Sequence, residues 1–88
     1  MRYNFHTDPG HGWLEVTLAE VVALGISEQI SHYSYQRGDK VYLEEDCDAA
    51  LFINAKKQRG EEYSFNEAHT DNEHWIRRLP SYSPAVRV

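Results

Sequence analysis

The pentapeptide Asp8-Pro9-Gly10-His11-Gly12 separates two aromatic and β-branched runs, "RYNFHT" before it and "GWLEV" after it. Proline presets φ for a turn and the glycines accept positive φ, so the two runs are expected to meet as a hairpin with His11 in its turn. Turn signals recur at Gly25, at Arg37-Gly38-Asp39 and at Gly60. They divide the chain into short elements.

The first element after the hairpin opens with Thr17-Leu18-Ala19-Glu20. This is a capping box, in which Thr17 and Glu20 satisfy orphan amides, and Val16 and Val21 have the spacing of a hydrophobic staple. Gly25 suits the left-handed C′ position and Ile26 the apolar residue after it, which predicts a helix over about 18–24. "ISHYSYQ" and "KVYLEE" then read as a second hairpin through Arg37-Gly38-Asp39, with Tyr33 and Tyr35 paired across the sheet to residues 41–43. Asp46 is a natural N-cap for a second helix. In it Cys47, Leu51 and Ala55 form an i, i+4, i+8 row beside Phe52, and Lys56, Lys57 and Arg59 complete its C-terminal end before Gly60. That row predicts a buried, unreactive Cys47. Tyr63 and Phe65 alternate with Ser64 and Asn66 as in a half-buried strand, and "HTDNEH" turns the chain into a last strand, "WIRRL". The expected fold class is therefore α+β, an antiparallel sheet of about five or six strands in the order ββαββαββ, with two short helices on one face. Residues 1–79 form the domain, and Pro80 and Pro84 make 80–88 an extended or disordered tail.

Eighty-eight residues support one core. The lone Cys47 excludes an intramolecular disulfide. Apart from Gly25, the longest apolar run is the stretch 21–26, far short of the roughly 20 residues needed to span a bilayer. The opening MRYNFHTDPG has no apolar leader core. A cytoplasmic protein with no membrane partner is expected. The net charge of −5 is blocky: Glu44, Glu45, Asp46 and Asp48 are followed by Lys56, Lys57 and Arg59, then by Glu61, Glu62, Glu67, Asp71 and Glu73, then by Arg77, Arg78 and Arg87. Cations grouped in twos and threes are too sparse to bind nucleic acid directly. An acidic surface favours a basic partner.

Two segments are spelled alike. "HTDPGHGWL" places His6, Asp8 and His11 near Trp13, and "HTDNEHWI" places His69, Asp71 and His74 beside Trp75. Neither has the i, i+4 spacing of a helical zinc motif, and Asp at a first turn position bonds the backbone two residues on, so both read as turns. The alternative is a small metal-dependent or acid/base enzyme that gathers His6, His11, His69 and His74. "LEEDCDA" is read as a helix start that also offers a docking patch. It does not alternate oxygen ligands over a calcium loop. Cys47 has no identifiable base and three acids beside it, so no catalytic residue and no cofactor are assigned. Two tryptophans and six tyrosines exceed what a core this small can bury. This predicts a binding face with Glu44, Glu45, Glu61, Glu62 and Glu67 at the rim and Tyr33, Tyr35 and Tyr42 as anchors. Self-association as a homodimer is left open.

The stretches "HTDPGHGWLEV", "LGI", "ISHYSYQRGDKVYLEEDCDA" and "RRLPSY", covering most of residues 5–82, resemble a group of small proteins encoded by phages and bacterial mobile elements. DPGHGWL and YLEEDCDA are the sharpest parts of the likeness. The group has no established reaction. What the resemblance implies is a phage accessory protein that inhibits a host defence complex, in the manner of anti-CRISPR or antirestriction inhibitors. "LEVTLAEVVALGI" with "GDKVYLEED" is also similar to the swapped-hairpin transcription regulators, but their basic DNA-facing residues are sparse here.

Overall fold

Two hairpins and one crossover build a five-stranded mixed sheet, which the computed structural model describes over residues 2–83. Strand β1 (Arg2–Thr7) turns into β2 (Gly12–Thr17), helix α1 (Leu18–Ala23) follows at once, and β3 (Tyr35–Arg37) turns into β4 (Lys40–Glu44). Helix α2 (Ala49–Gln58) then leads to β5 (Ser64–His69), giving the sheet order β3-β4-β2-β1-β5. The α+β class and the two hairpins are as expected. The sheet is not purely antiparallel, because β5 runs parallel to β1, with Thr7 opposite His69 and Arg2 opposite Ser64. Strand β4 is antiparallel to β2 and β2 to β1, so β4, β1 and β5 share one direction and α2 is the crossover between β4 and β5.

The start of α1 is the predicted capping box. The Thr17 hydroxyl accepts from the Glu20 amide, and the Glu20 carboxylate accepts from the Thr17 amide. Its end is a Schellman motif: the Gly25 amide donates to Val22 and the Ile26 amide to Val21, with Gly25 at φ 72. Helix α2 begins later than expected. Its N-cap is Asp48 rather than Asp46, and Cys47 lies in the preceding turn, exposed. The fully buried residues of α2 are Ala49, Phe52 and Lys56, and Leu51 and Ala55 are partly buried against the same core, so of the predicted row only Cys47 lies off it.

Two predicted strands are shorter or absent. In "ISHYSYQ" only Tyr35 and Gln36 pair, and Ser31 and Ser34 bond the buried Asp48 carboxylate where the chain bends before them. "WIRRL" is a 3-10 turn, Trp75–Arg78, capped by His74, whose Nδ1 accepts from the Ile76 amide. The extended segment after it does not leave the domain. Ser81 bridges to Tyr35, and Tyr82 is buried in the core, so the domain continues past Leu79. Residues 84–88 of the expected tail lie outside the described residues.

The sheet is covered on both faces at its centre. Leu14, Val16, Val41 and Leu43 pack with Val21 of α1 and Phe52 of α2, placing both helices on one face. Trp13, Tyr42 and Ile76 form a smaller core on the other face. This explains why β4 is buried from Val41 to Glu44 without alternation. Among the described residues no helix is long and apolar enough to cross a membrane.

Candidate functional site

Asp8 organises one end of the sheet. Its Oδ1 accepts from the Gly10 and His11 amides, which closes the predicted turn, while its Oδ2 accepts from the His74 amide at 3.0 Å and from Arg77 Nε at 2.7 Å. Arg77 also donates to Oδ1 at 2.9 Å. The Arg77 guanidinium, followed by these amides, holds the Asp8 carboxyl far below the usual carboxylate range. The ion pair therefore joins the first turn to the segment 74–78, which covers the second face of the sheet.

The two look-alike turns lie side by side, with the Thr70 amide donating to the Thr7 carbonyl. They are not equivalent. Asp8 is buried and makes the turn bonds of the first, whereas Asp71 is exposed and the Thr70 hydroxyl accepts the Asn72 amide in the second. Nor do the four histidines converge. His6 Nε2 meets Glu15 at 2.7 Å and its ring packs 5.1 Å from that of the buried His74. His11 faces Glu44, and His69 bonds Thr7 and sits 3.3 Å from Asp71. Burial, and then the neighbouring His6, hold the His74 pKa down, consistent with a neutral ring that accepts at Nδ1.

Above Asp8 and Arg77 opens a cleft of about 300 Å3 lined by His11, Trp13, Tyr33, Tyr35, Glu44, Asp46, Cys47 and Arg77. It takes residues from the first turn, β2, β3 and the segment before it, the end of β4 with its junction to α2, and the C-terminal 3-10 turn. Gly12 is required beside it, since a Cβ there would stand 2.6 Å from the Phe5 ring. The Glu44 carboxylate is largely buried, and its Oε1 accepts from the amides of Asp46 and Cys47 at 2.8 and 3.0 Å. The thiol of Cys47 is pushed above its usual value by partial desolvation and then by Glu44. A nucleophilic cysteine needs the opposite shift.

The predicted docking residues separate into two sets. Glu44 and Tyr42 are buried, 7% and 2% exposed, so neither serves as rim or anchor: Glu44 secures the turn into α2, and Tyr42 packs against Trp75 beneath the 3-10 turn. Glu45, Glu61, Glu62 and Glu67 are exposed, Tyr35 is half-buried, and Tyr33 is 59% exposed and stacked on His32. Glu61 is engaged by the buried Lys56 at 2.8 Å.

Sequence reasoning placed Glu67 at a binding rim but missed that the strand carrying it is an outer edge of the sheet. All six residues of β5 are exposed, and Phe65, 41% exposed, meets the rings of Phe5 and Tyr63 edge-on or tilted. The opposite sheet edge is different, since Ser81 bridges to β3 and the Gln36 amide donates to Pro80. Alternation at 63–66 was a signal for the strand but not for its place at the margin. Compared with known proteins, the chain matches no family model, no curated protein and no solved structure.

Proposed function

We propose that this chain is a protein-binding module, a phage accessory protein that inhibits a host defence complex by occupying a basic surface, and that its contact surface is the margin around β5. The observation that carries this reading is the open β5 edge, which no described residue pairs on its outer side. An unpaired edge offers a row of backbone donors and acceptors to an added strand. Native edges are commonly blunted by lysine, proline or a bulge, and "SFNEAH" has neither lysine nor proline.

Phe65, with Phe5 and Tyr63 around it, supplies an apolar anchor beside that edge. Glu62 and Glu67 stand close by, exposed, and would steer a cationic partner and speed its encounter. The same carboxylates disfavour a direct nucleic-acid contact.

The test is capture of a partner from host lysate, followed by measured affinity for wild type, Phe65→Ser and the Glu62→Lys/Glu67→Lys double variant. Loss of affinity in the first and a slower, less salt-sensitive association in the second are expected, with both variants folded and Phe65→Ser melting somewhat lower through its lost contacts with Phe5 and Tyr63. Equal affinity in all three overturns the β5 surface. A chain that pairs through β5 with a second copy of itself would instead dimerise in solution, and the Phe65→Ser variant would be monomeric.

A further inference from the structure

We propose that the cleft beside Trp13 holds a divalent transition-metal ion of the zinc class, with His11, Glu44 and Asp46 as its protein ligands. The site is distinct from the β5 margin and does not rest on the function proposed for it. One ligand atom from each of these three residues lies within 4.8 Å of the other two, the only such group among the described residues. They come from two separate pieces of chain, the first hairpin turn and the β4–α2 junction, so their meeting is tertiary.

The spacing suits an ion better than a hydrogen bond. His11 Nδ1 and Glu44 Oε2 are 3.4 Å apart, beyond the roughly 2.7–3.2 Å of an N–H···O bond. Two ligands at about 2.0–2.1 Å from a tetrahedral zinc are separated by about 3.3 Å. Glu44 is also preorganised. Its Oε1 is taken by two backbone amides, which fixes the carboxylate plane and leaves Oε2 toward His11, the kind of outer support that metal carboxylates require. The His11 backbone is held on both sides, its amide on Asp8 Oδ1 and its carbonyl by the Asp8 amide, while its ring stays exposed.

The donor set selects the metal. One imidazole with two carboxylates favours zinc, nickel or cobalt over calcium and magnesium, which take all-oxygen shells. The nearby Arg77 does not cancel the charge, because it is paired with Asp8. The wall of the cleft at Trp13 is itself rigid and buried. Trp13, 2% exposed and part of its wall, carries at Nε1 the one buried side-chain polar atom without a partner among the described residues. The cleft is open to solvent through exposed His11, Asp46 and Cys47, which provides entry.

The experiment uses the tag-free protein stripped with a chelator and titrated calorimetrically at neutral pH with Zn2+, Ni2+ and Mg2+, with melting followed in parallel. One equivalent of Zn2+ should bind and raise the melting temperature, and Mg2+ should not compete. His11→Ala and Asp46→Asn change exposed side chains and should fold normally, yet each should weaken Zn2+ by more than about tenfold. Lys57→Ala, remote from the cleft, should bind as wild type. Absence of Zn2+ binding overturns the proposal, as does Zn2+ binding that survives both His11→Ala and Asp46→Asn.

Discussion

Arg77 reaches across 69 positions of sequence to place Nε and a terminal nitrogen on the two carboxylate oxygens of Asp8, at 2.7 and 2.9 Å. The same carboxylate closes the Asp8–His11 turn and accepts the His74 amide, so one buried side chain with five hydrogen bonds joins the hairpin to the segment covering the second core. Removing one partner of a buried pair strands the other. Asp8→Asn should destabilise by about 3 kcal/mol or more, out of a total on the order of 4–13 kcal/mol for a chain this size. Arg77→Lys should recover little, because an ammonium cannot bond both oxygens in the fork geometry. Denaturant melts of both variants check this.

Acid should unfold the protein in two stages. His74 is held neutral in the fold, with its pKa below the ordinary value near 6.5, so its contribution is present above that pH and is lost as pH falls through the depressed folded value. Asp8 is depressed from about 3.9, so its contribution persists at higher pH and is lost only below about 4. Stability measured between pH 7 and 3 should fall gently and then steeply. His74→Asn should remove most of the first decline while leaving the second.

The two helix starts respond differently to mutation. Thr17→Ala should cost about 1 kcal/mol through loss of the capping box. Asp46→Ala should be nearly neutral, within about 0.5 kcal/mol, since Asp46 is exposed and caps nothing. Asp48→Ala should cost about 1–3 kcal/mol by stranding the Ser31 and Ser34 groups that now bond its carboxylate. Chemical denaturation of the three side by side ranks them.

Cys47 should label completely in the native protein but slowly at neutral pH, because the thiol is exposed while its pKa is raised. The rate should climb as pH passes above about 8.5. Labelling that needs unfolding, or that is already fast at pH 7, contradicts this placement.

Lys56 is the buried member of the cation block at the end of α2, where it bonds Glu61 and lies over the rings of Tyr3 and Phe52. Lys56→Ala should cost about 1–3 kcal/mol, through the charge-assisted bond and the apolar stem it removes, whereas Lys57→Ala should be neutral. Thermal melts distinguish the two.

The sequence by itself determined the features whose partners lie within about five residues. The Asp8 turn, the Thr17/Glu20 box and the Gly25 ending of α1 are each complete in one local stretch, and their chemistry admits few alternatives. What only the tertiary structure decided depends on residues far apart in the chain. The period of 63–66 marks a strand, but not that it runs parallel to β1 at an open margin, since parallel pairing is set by the crossover of α2 over the sheet. A carboxylate beside a strand end reads equally as rim or support. Glu44 became support because the chain after it turns back, laying two amides on one oxygen and leaving the other to face His11, 33 positions away. Tyr42 was buried for the same reason: the segment 74–78, pinned by Asp8, covers a face that periodicity alone leaves to solvent.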